Sequence, residues 1–285
     1  MTNQKVKIIV DSTSDLPDEL VKKYDIDIIP VYIHYNNQIY KDRTQMTSNE
    51  FYDILRNIDE LPTTSAPNPK DFWERVTESL KEYSSVFITT LSSKLSATYQ
   101  SAGIVVKRIK DKRIHLVDSK YGSGVLAFLS LAAAKLSRKG ITGEELVEEV
   151  ERVRDESILL GYVDNVENLK KSGRISHLKY FVGTLLKAKP IIQIKDGLLD
   201  GIGKATGKKK AQEKVVEEIL ARTQKDKKYD LMITHGDDSE SAEKIMNELE
   251  KKLSLGEKII NFLTPALAVH LGIGTIVVSL SPSIS

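Results

Sequence analysis

The sequence predicts an α/β protein whose first half forms a parallel sheet and whose second half is of mixed α+β character. In the first half, three short apolar runs, at residues 6–10, 85–88 and 113–117, are each followed by a polar turn and a helical pattern. Repeated strand–turn–helix units build parallel sheets, because parallel neighbours are joined by crossover connections. In the second half, hairpin, strand and helix patterns follow one another less regularly. We therefore expect two domains, at residues 1–155 and 156–285.

Composition narrows the function classes. The chain has 285 residues, of which 29% are charged, a formal net charge of only +2 and no cysteine. The balanced charge disfavours a nucleic-acid-binding protein, and the lack of cysteine excludes disulfides and thiolate metal sites. The longest apolar helical pattern, at residues 125–136, is too short to span a bilayer. These features predict a cytoplasmic protein without a membrane segment.

Capping and turn residues place the elements of the first half. Ser14 or Asp15 is expected to cap the first helix, and Thr47 with Glu50 forms a capping box. The asparagines at residues 36–37 predict a hairpin turn. The predicted strands are residues 6–10, 26–35, 38–41, 85–88 and 113–117, and the predicted helices begin near residues 18, 48, 69, 97 and 125.

The segment 61–69 is predicted to be a stiff loop that carries Thr64 and Ser65. Its three prolines fix φ and remove backbone donors, which excludes a helix or a central strand. Asn68 is expected to cap the helix that starts at Pro69. The inward face of that helix is predicted to carry Phe72, Trp73, Val76 and Leu80.

The second half is predicted to combine hairpins, strands and short helices. A helix at residues 165–171 precedes a hairpin that turns at residues 195–197, and the basic run 204–210 leads into a helix ending at residue 222. The remaining predicted elements are strands at 158–163, 230–234, 258–262 and 275–279, a helix through Ile245 and Leu249, and a short helix at 265–270.

Residues 89–102 form a dense run of hydroxyl side chains at a strand-to-helix turn. At such a turn, free backbone N–H groups and the positive end of the helix dipole favour an anion. A nucleophilic serine of the α/β-hydrolase kind needs a Gly-x-Ser-x-Gly elbow, and the nearest approach, residues 122–124, lacks that spacing. P-loop and dinucleotide fingerprints are also missing. The sequence therefore predicts an anion site and no cofactor.

Histidine spacing gives no metal motif, and we expect no bound metal. The five histidines lie far apart, and none forms a His-x-x-x-His pair. His270 differs from the others because it follows an apolar helical run and precedes Gly272, at a helix end where a polar group needs a partner. The other four are interpreted as surface or satisfied structural histidines: His34, His115, His177 and His235.

Several apolar residues of the second half could either fill a core or line a tunnel. The sequence does not separate the two, although a core is the more frequent role of such residues. The residues concerned are Val182, Leu185, Leu186, Ile191, Phe262 and Leu263.

Four motifs together resemble the DegV family of fatty-acid-binding proteins. The first is Asp-Ser-Thr-Ser-Asp-Leu at residues 11–16, the second is Thr-Ser-Ala-Pro at residues 64–67, and the third spans residues 91–102. They occur in the family order over nearly the whole chain. The fourth combines Leu-Lys-Lys-Ser-Gly-Arg-Ile-Ser at residues 169–176 with Lys189, Pro190 and His270.

The resemblance implies an N-terminal DegV-like α/β sandwich and a C-terminal α+β lipid-binding domain. The ligand would be one long-chain fatty acid such as palmitate, stearate or oleate, with its acyl chain in the second domain and its carboxylate at the domain junction. Neutral hydroxyls and backbone amides can hold a carboxylate through charge-assisted hydrogen bonds. The residues that the resemblance identifies as carboxylate ligands are Thr64, Ser65, Ser96 and His270.

The resemblance also implies a protein partner, a separate fatty acid kinase that makes the acyl-phosphate used as a phospholipid precursor. Arg174 and the basic run, including Lys208, would face the partner or the phosphate. The sequence departs from the family pattern at Thr206, where an arginine is frequent, at Ala97 in place of a glycine, and in a reduced glycine motif at residues 272–274. The first departure bears on kinase docking, and the other two bear on backbone geometry near the carboxylate.

Two other functions remain open at this level. One is an acyl- or phosphoryl-transfer enzyme with Ser96 as nucleophile and His270 as base. The other is an interaction domain that uses the basic run. A carrier is preferred over a transferase because no catalytic base lies beside the hydroxyl run in the sequence.

Overall fold

The computed structural model describes residues 5–58, 60–164, 166–174 and 188–284. The described strands are β1 (Val6–Asp11), β2 (Ile26–Ile29), β3 (Tyr32–Tyr35), β4 (Gln38–Lys41), β5 (Thr63–Ser65), β6 (Ser85–Thr90), β7 (Ile114–Asp118), β8 (Ile158–Tyr162), β9 (Ala188–Lys195), β10 (Leu198–Thr206), β11 (Lys228–His235), β12 (Ser254–Phe262) and β13 (Ile276–Pro282). The described α-helices are α1 (Asp18–Tyr24), α2 (Ser48–Arg56), α3 (Pro69–Glu82), α4 (Thr98–Ile109), α5 (Ser123–Arg138), α6 (Gly143–Asp155), α7 (Glu167–Lys171), α8 (Lys208–Arg222), α9 (Ser239–Glu250) and α10 (Pro265–Leu271). None of these helices is both long enough and apolar enough to cross a bilayer.

The first sheet is fully parallel, with strand order β2-β1-β6-β7. Strand β6 is buried along its whole length, as expected for a parallel strand covered on both faces. Because β2 and β6 lie on opposite sides of β1, the loops after β1 and β6 diverge at a switch point on the carboxyl edge of the sheet. Ligands bind at such edges in open α/β sheets.

The second sheet has six strands in the order β10-β9-β8-β13-β11-β12. Strands β11 and β12 are parallel, and the other neighbours are antiparallel. The predicted hairpin turns at Asp196 and Gly197, both of which have positive φ. The predicted combination of a parallel α/β part and a mixed α+β part is confirmed. The boundary at Asp155 stays a prediction; Asp155 is the last residue of α6, directly before the second sheet begins.

Helix α5 lies between the two sheets and is buried on nearly all sides. Its apolar residues pack against Ile8 and Phe87 of the parallel sheet and against Met232 and Val277 of the six-stranded sheet, in one continuous cluster. The apolar residues of α5 therefore form a buried layer between the two sheets. This layer fixes the two sheets relative to each other.

A small antiparallel sheet, β4-β3-β5, departs from two predictions. The expected strand 26–35 is broken into β2 and β3, because Pro30 has no N–H to donate to a ladder. The segment 61–69 is not entirely a loop, since residues 63–65 form β5. This strand lies at the sheet edge, where neighbouring prolines are tolerated. The turn at residues 36–37 is confirmed, with φ of 50° and 59°.

Helix caps agree with the sequence at two of three sites. The capping box of Thr47 and Glu50 is formed, and Asn68 caps α3. The cap assigned to Ser14 or Asp15 is wrong: Pro17 precedes α1, and no side chain bonds there. The inward assignment of Trp73 is also wrong, because this residue is 37% exposed and lies under the guanidinium of Arg108. Phe72 and Val76 are fully buried, as predicted.

Candidate functional site

A cavity of about 190 Å³ lies between the carboxyl edge of the parallel sheet, helix α10 and one face of the six-stranded sheet. Polar side chains are confined to a few of its lining positions, and the rest of the lining is apolar. Its polar lining residues are Thr13, Thr64, Ser65, Ser96, Ser123, Arg174 and His270. Its apolar lining includes Val31, Leu91, Leu95, Leu159, Leu169, Ile192, Ile194, Leu199, Leu267, Leu271 and Val277. A molecule with a polar head group and an apolar chain would match this composition. We call the part of the cavity lined by these polar side chains its polar end.

His270 and Thr64 form a hydrogen-bonded pair at the polar end. The imidazole Nε2 of His270 lies 2.8 Å from Thr64 Oγ1, although the two residues are 206 positions apart in sequence. Thr64 lies on β5, which pairs with β3, whereas His270 lies in the last turn of α10. The contact therefore depends on the packing of the small sheet against α10.

The second imidazole nitrogen of His270, Nδ1, is buried and has no hydrogen-bond partner among the described residues. Burial and, as a smaller cause, the nearby positive charge of Arg174 lower the pKa of His270 to about 3. The imidazole is consequently neutral at physiological pH, so that one ring nitrogen carries a proton and the other accepts. A buried polar atom without a partner is rare in folded proteins.

The two predicted serines also line the cavity, and each has a neighbour that orients it. Ser65 Oγ lies 2.8 Å from Nε2 of His34. Ser96 Oγ lies 2.9 Å from Thr98 Oγ1 and accepts a hydrogen bond from Thr98 N–H at the start of α4. All four predicted carboxylate ligands thus face one cavity.

The two residues predicted to face a partner lie in different places. Arg174 lines the cavity and donates to the backbone oxygen of Ser172. Lys208 is the first residue of α8, forms an ion pair with Asp238 at 2.7 Å and is not among the described residues that line the cavity. Thr206 is exposed at the end of β10. Their assignment to partner contacts stays a prediction.

The apolar wall shows why pocket residues could not be told from core residues by sequence. Ile192 and Ile194 of β9 line the cavity because side chains two apart share one face of a strand. Ile191 points to the opposite face and packs with α8. Phe262 and Leu263 pack in apolar clusters, as the core interpretation predicts. The other three candidates, Val182, Leu185 and Leu186, lie outside the described residues.

Two of the four histidines interpreted as surface or structural residues form hydrogen bonds within the protein. His34 pairs with Ser65, and Nδ1 of His235 accepts a hydrogen bond from the N–H of Asp238. His115 lies half-buried on β7. His177, like Ile175 and Ser176 of the fourth motif and Asn165 of the predicted helix 165–171, lies outside the described residues.

Three fully buried carboxylates beneath the polar end were not predicted as part of the site. Asp11 accepts hydrogen bonds from the N–H groups of Thr13 and Leu91 and so ties the loop after β1 to the loop after β6. Burial raises the pKa of Asp15 to about 7 and that of Asp42 to about 6. For Asp11 and Asp15 the Asp-Ser-Thr-Ser-Asp motif after β1 was the available signal, but it carried no indication of burial, and no motif pointed to Asp42.

Ser123 and Thr13 also line the cavity without having been predicted. Ser123 has φ of +51° at the strand-to-helix turn before α5, and its Oγ lies within 2.8 Å of Asp15 Oδ2 and Thr234 Oγ1. Gly122 precedes it because a Cβ there would lie 2.6 Å from Leu91 Cδ1. The described partners of this serine are a carboxylate and a hydroxyl.

Known proteins share this architecture. The family model described as an uncharacterised protein of the DegV family matches residues 5–283. A fatty acid-binding protein of Thermotoga maritima is 34% identical over 277 residues, which are 95% of this chain and 96% of that protein. The structure of a DegV family protein of Thermus thermophilus, described as binding fatty acid, has 31% identity and a TM-score of 0.92, covering 98% of this chain and 100% of that one.

A second solved structure, a DegV lipid-binding protein of Thermotoga maritima, is 32% identical with a TM-score of 0.89, and the match covers 98% of both chains. The family model, the curated relative and both structures match nearly the full length. The shared order of elements and motifs shows that this chain belongs to the DegV family.

Proposed function

We propose that the protein binds one long-chain fatty acid, with the carboxylate at the polar end of the cavity and the acyl chain along its apolar wall. The observation that carries this proposal is that hydroxyl and imidazole side chains and a larger number of aliphatic side chains line one and the same cavity. The relatives described as fatty acid-binding support the same ligand class. Palmitate, stearate and oleate are the candidate ligands, because each has one carboxylate and one long acyl chain.

The number of polar hydrogens on His270 and Thr64 limits how many hydrogen bonds the pair can donate to a carboxylate. A neutral imidazole carries one N–H and threonine carries one O–H, and one of these two hydrogens occupies the bond between them. The pair can therefore donate one hydrogen bond, from either His270 Nδ1 or Thr64 Oγ1. Ser65 and Ser96, which also line the cavity, would supply further donors. Arg174 would add a positive charge beside them.

The apolar wall would supply most of the affinity. Burying roughly 15 methylene groups at about 0.8 kcal/mol each gives on the order of 10 kcal/mol before the entropic costs of binding. The polar end would fix the direction of the ligand and distinguish an acid from an alkane or an ester. Because the hydroxyls and the imidazole are uncharged, the carboxylate would remain exchangeable.

We further propose that the protein presents its fatty acid to a separate fatty acid kinase and carries out no chemistry of its own. Thr13 and Ser96 lie in loops at the carboxyl edge of the parallel sheet and line the cavity, and in this proposal the partner approaches the carboxylate at that edge. Arg174 at the cavity would then lie near the phosphate to be transferred. Lys208 and the basic run would contribute to docking.

The geometry favours a carrier over a transferase that uses Ser96 and His270. The hydrogen bonds of His270 and Ser96 go to Thr64 and Thr98, respectively, and not to each other. An imidazole whose pKa is about 3 is also a weak general base at neutral pH.

The binding proposal is tested with Thr64→Val, which keeps the side-chain shape and removes the hydroxyl. We expect the affinity for oleate, measured by calorimetry, to fall by about tenfold or more, because a hydrogen bond to a charged group is lost. The matched control is Thr63→Val, its exposed neighbour on β5, which should leave the affinity unchanged. Native mass spectrometry of the purified wild-type protein should show one bound acyl mass. No bound lipid and no uptake of added oleate or palmitate would refute the proposal.

A further inference from the structure

Helix α10, which carries His270, does not cap its own start. Thr264 stands at the N-cap but makes no side-chain capping bond, and its hydroxyl is buried without a partner among the described residues. Pro265 has no N–H. The two N–H groups left free at this end are those of Thr264 and Ala266, since Leu267 and Ala268 donate to the carbonyl of Thr264.

Two buried carboxylates from the first half of the chain accept these two N–H groups. Thr264 N–H donates to Asp15 Oδ1 at 2.8 Å, and Ala266 N–H donates to Asp42 Oδ1 at 3.3 Å. Both carboxylates are fully buried, and negative charge is favourable at a helix N-terminus. A helix of two turns is marginally stable on its own, and these contacts hold its N-terminal end in place while Ala268 and Val269 pack in an apolar cluster.

Asp15 connects this end of α10 to two further elements. Its second carboxylate oxygen accepts from Ser123 Oγ at 2.7 Å, at the start of α5, and its backbone oxygen accepts from Asn261 Nδ2 at 2.8 Å, in β12. Ser123 itself lines the cavity. One side chain thus fixes both the helix that bears His270 and a residue of the cavity wall.

We propose that Asp15, assisted by Asp42, is a positioning residue for His270, and that its carboxylate sets the distance of the imidazole from Thr64 and from the polar end of the cavity. The effect on fatty acid binding rests on the proposed function. The position of His270 rests only on the contacts at the start of α10.

The test compares Asp15→Gly with Asp15→Asn. Asp15 has φ of +53°, which glycine and asparagine tolerate. Glycine removes the acceptor for Thr264 N–H, whereas asparagine keeps an oxygen for it and can donate to Ser123 Oγ. We expect Asp15→Gly to shift the imidazole ¹H–¹⁵N signals of His270 in the ligand-free protein. We also expect it to weaken oleate binding about tenfold or more. Asp15→Asn should keep both near wild type.

The matched control is Asp230→Ala, which removes another buried carboxylate that accepts a backbone N–H, that of Glu257, away from α10. It should leave the His270 signals in place. A folded Asp15→Gly protein with unshifted His270 signals would overturn the proposal, and so would an equal shift in Asp230→Ala. If Asp15→Gly does not fold, the same measurement is made on Asp42→Ala, which should also shift the His270 signals; unshifted signals would overturn the proposal. If wild type binds no fatty acid, the proposed function fails while the imidazole signals still decide the positioning.

Discussion

At the residue scale, three hydroxyl groups of the cavity lining are each hydrogen-bonded to one neighbouring side chain. Thr64 with His270, Ser65 with His34 and Ser96 with Thr98 are each within 2.9 Å. Each pair orients its members before any ligand arrives, which reduces the entropy lost on binding. Burial keeps His270 neutral. The carboxylate would therefore meet oriented dipoles beside the single charge of Arg174.

The buried carboxylates predict a pH dependence of stability. Burial raises the pKa of folded Asp15 from 3.8 to about 7, so between these values the folded state holds a proton that the unfolded state has released. Its contribution to stability therefore falls as pH rises from about 4 to about 7. Asp42 contributes in the same direction with a pKa of about 6, whereas the lowered pKa of His270 acts in the opposite direction below about 6.5.

Asp15→Asn isolates this effect, because it removes the titrating group and keeps the hydrogen-bond geometry. The free energy of unfolding in urea, measured for both proteins from pH 4.5 to 7.5, should show wild type losing stability relative to the variant as pH rises. Parallel curves over that range would contradict the assignment.

At the element scale, the loops that end the parallel strands form the site because other elements fix them. Asp11 ties the loop after β1 to the loop after β6, and α5 begins directly under the cavity at Ser123. Helix α10 is held at its start by Asp15 and Asp42 and near its end by Asn168, whose Nδ2 donates to the carbonyl of Val269. The site is thus assembled from short elements held by side-chain contacts.

The start of α5 gives a prediction for cavity shape. Gly122→Ala would place a Cβ 2.6 Å from Leu91 Cδ1, and Leu91 lines the cavity. Because Cδ1 is the far end of a flexible side chain, we expect Leu91 to rotate away, with at most about 1 kcal/mol of destabilisation and weaker binding of long acyl chains. Thermal unfolding and oleate titration measure both effects.

The control for this substitution is Gly103→Ala in α4, where the new Cβ would make ordinary contact with Leu116 at 3.8 Å. Alanine there should stabilise the helix by up to about 1 kcal/mol and leave oleate binding unchanged. Equal losses of binding in the two variants would argue against the role of Leu91.

At the scale of the whole molecule, the cavity belongs to both halves of the chain. The first half supplies most of the polar residues, and β8, β9, β10 and β13 supply much of the apolar wall. Helix α5 holds the two sheets together through one shared core. This arrangement leaves the basic start of α8 as a separate surface, away from the described cavity lining.

Partner docking is the prediction that belongs to this scale. Lys208→Ala should slow acyl-phosphate formation by a fatty acid kinase and leave oleate affinity unchanged, because Lys208 lies outside the cavity lining. Lys214→Ala is the matched control, since Lys214 lies on the same helix and is also ion-paired, with Glu218. Initial rates should also fall with added salt if docking is electrostatic. Equal rates for Lys208→Ala and wild type would remove Lys208 from the docking surface.

The sequence by itself determined most local elements, the parallel sheet and several of the polar residues that line the cavity. Strand runs, capping boxes such as Thr47 with Glu50, and the turn at residues 36–37 are encoded within a few neighbouring residues. The motifs that resemble the DegV family added Thr64, Ser65, Ser96 and His270, all of which line one cavity.

Only the tertiary structure decided which apolar residues are walls and which carboxylates are buried. Ile191 and Ile192 are neighbours in sequence, yet only Ile192 faces the cavity. The contact of Asp15 with Thr264 joins residues 249 positions apart. The physical reason is that burial and partner choice depend on how distant elements pack, and local periodicity and capping carry no information about that packing.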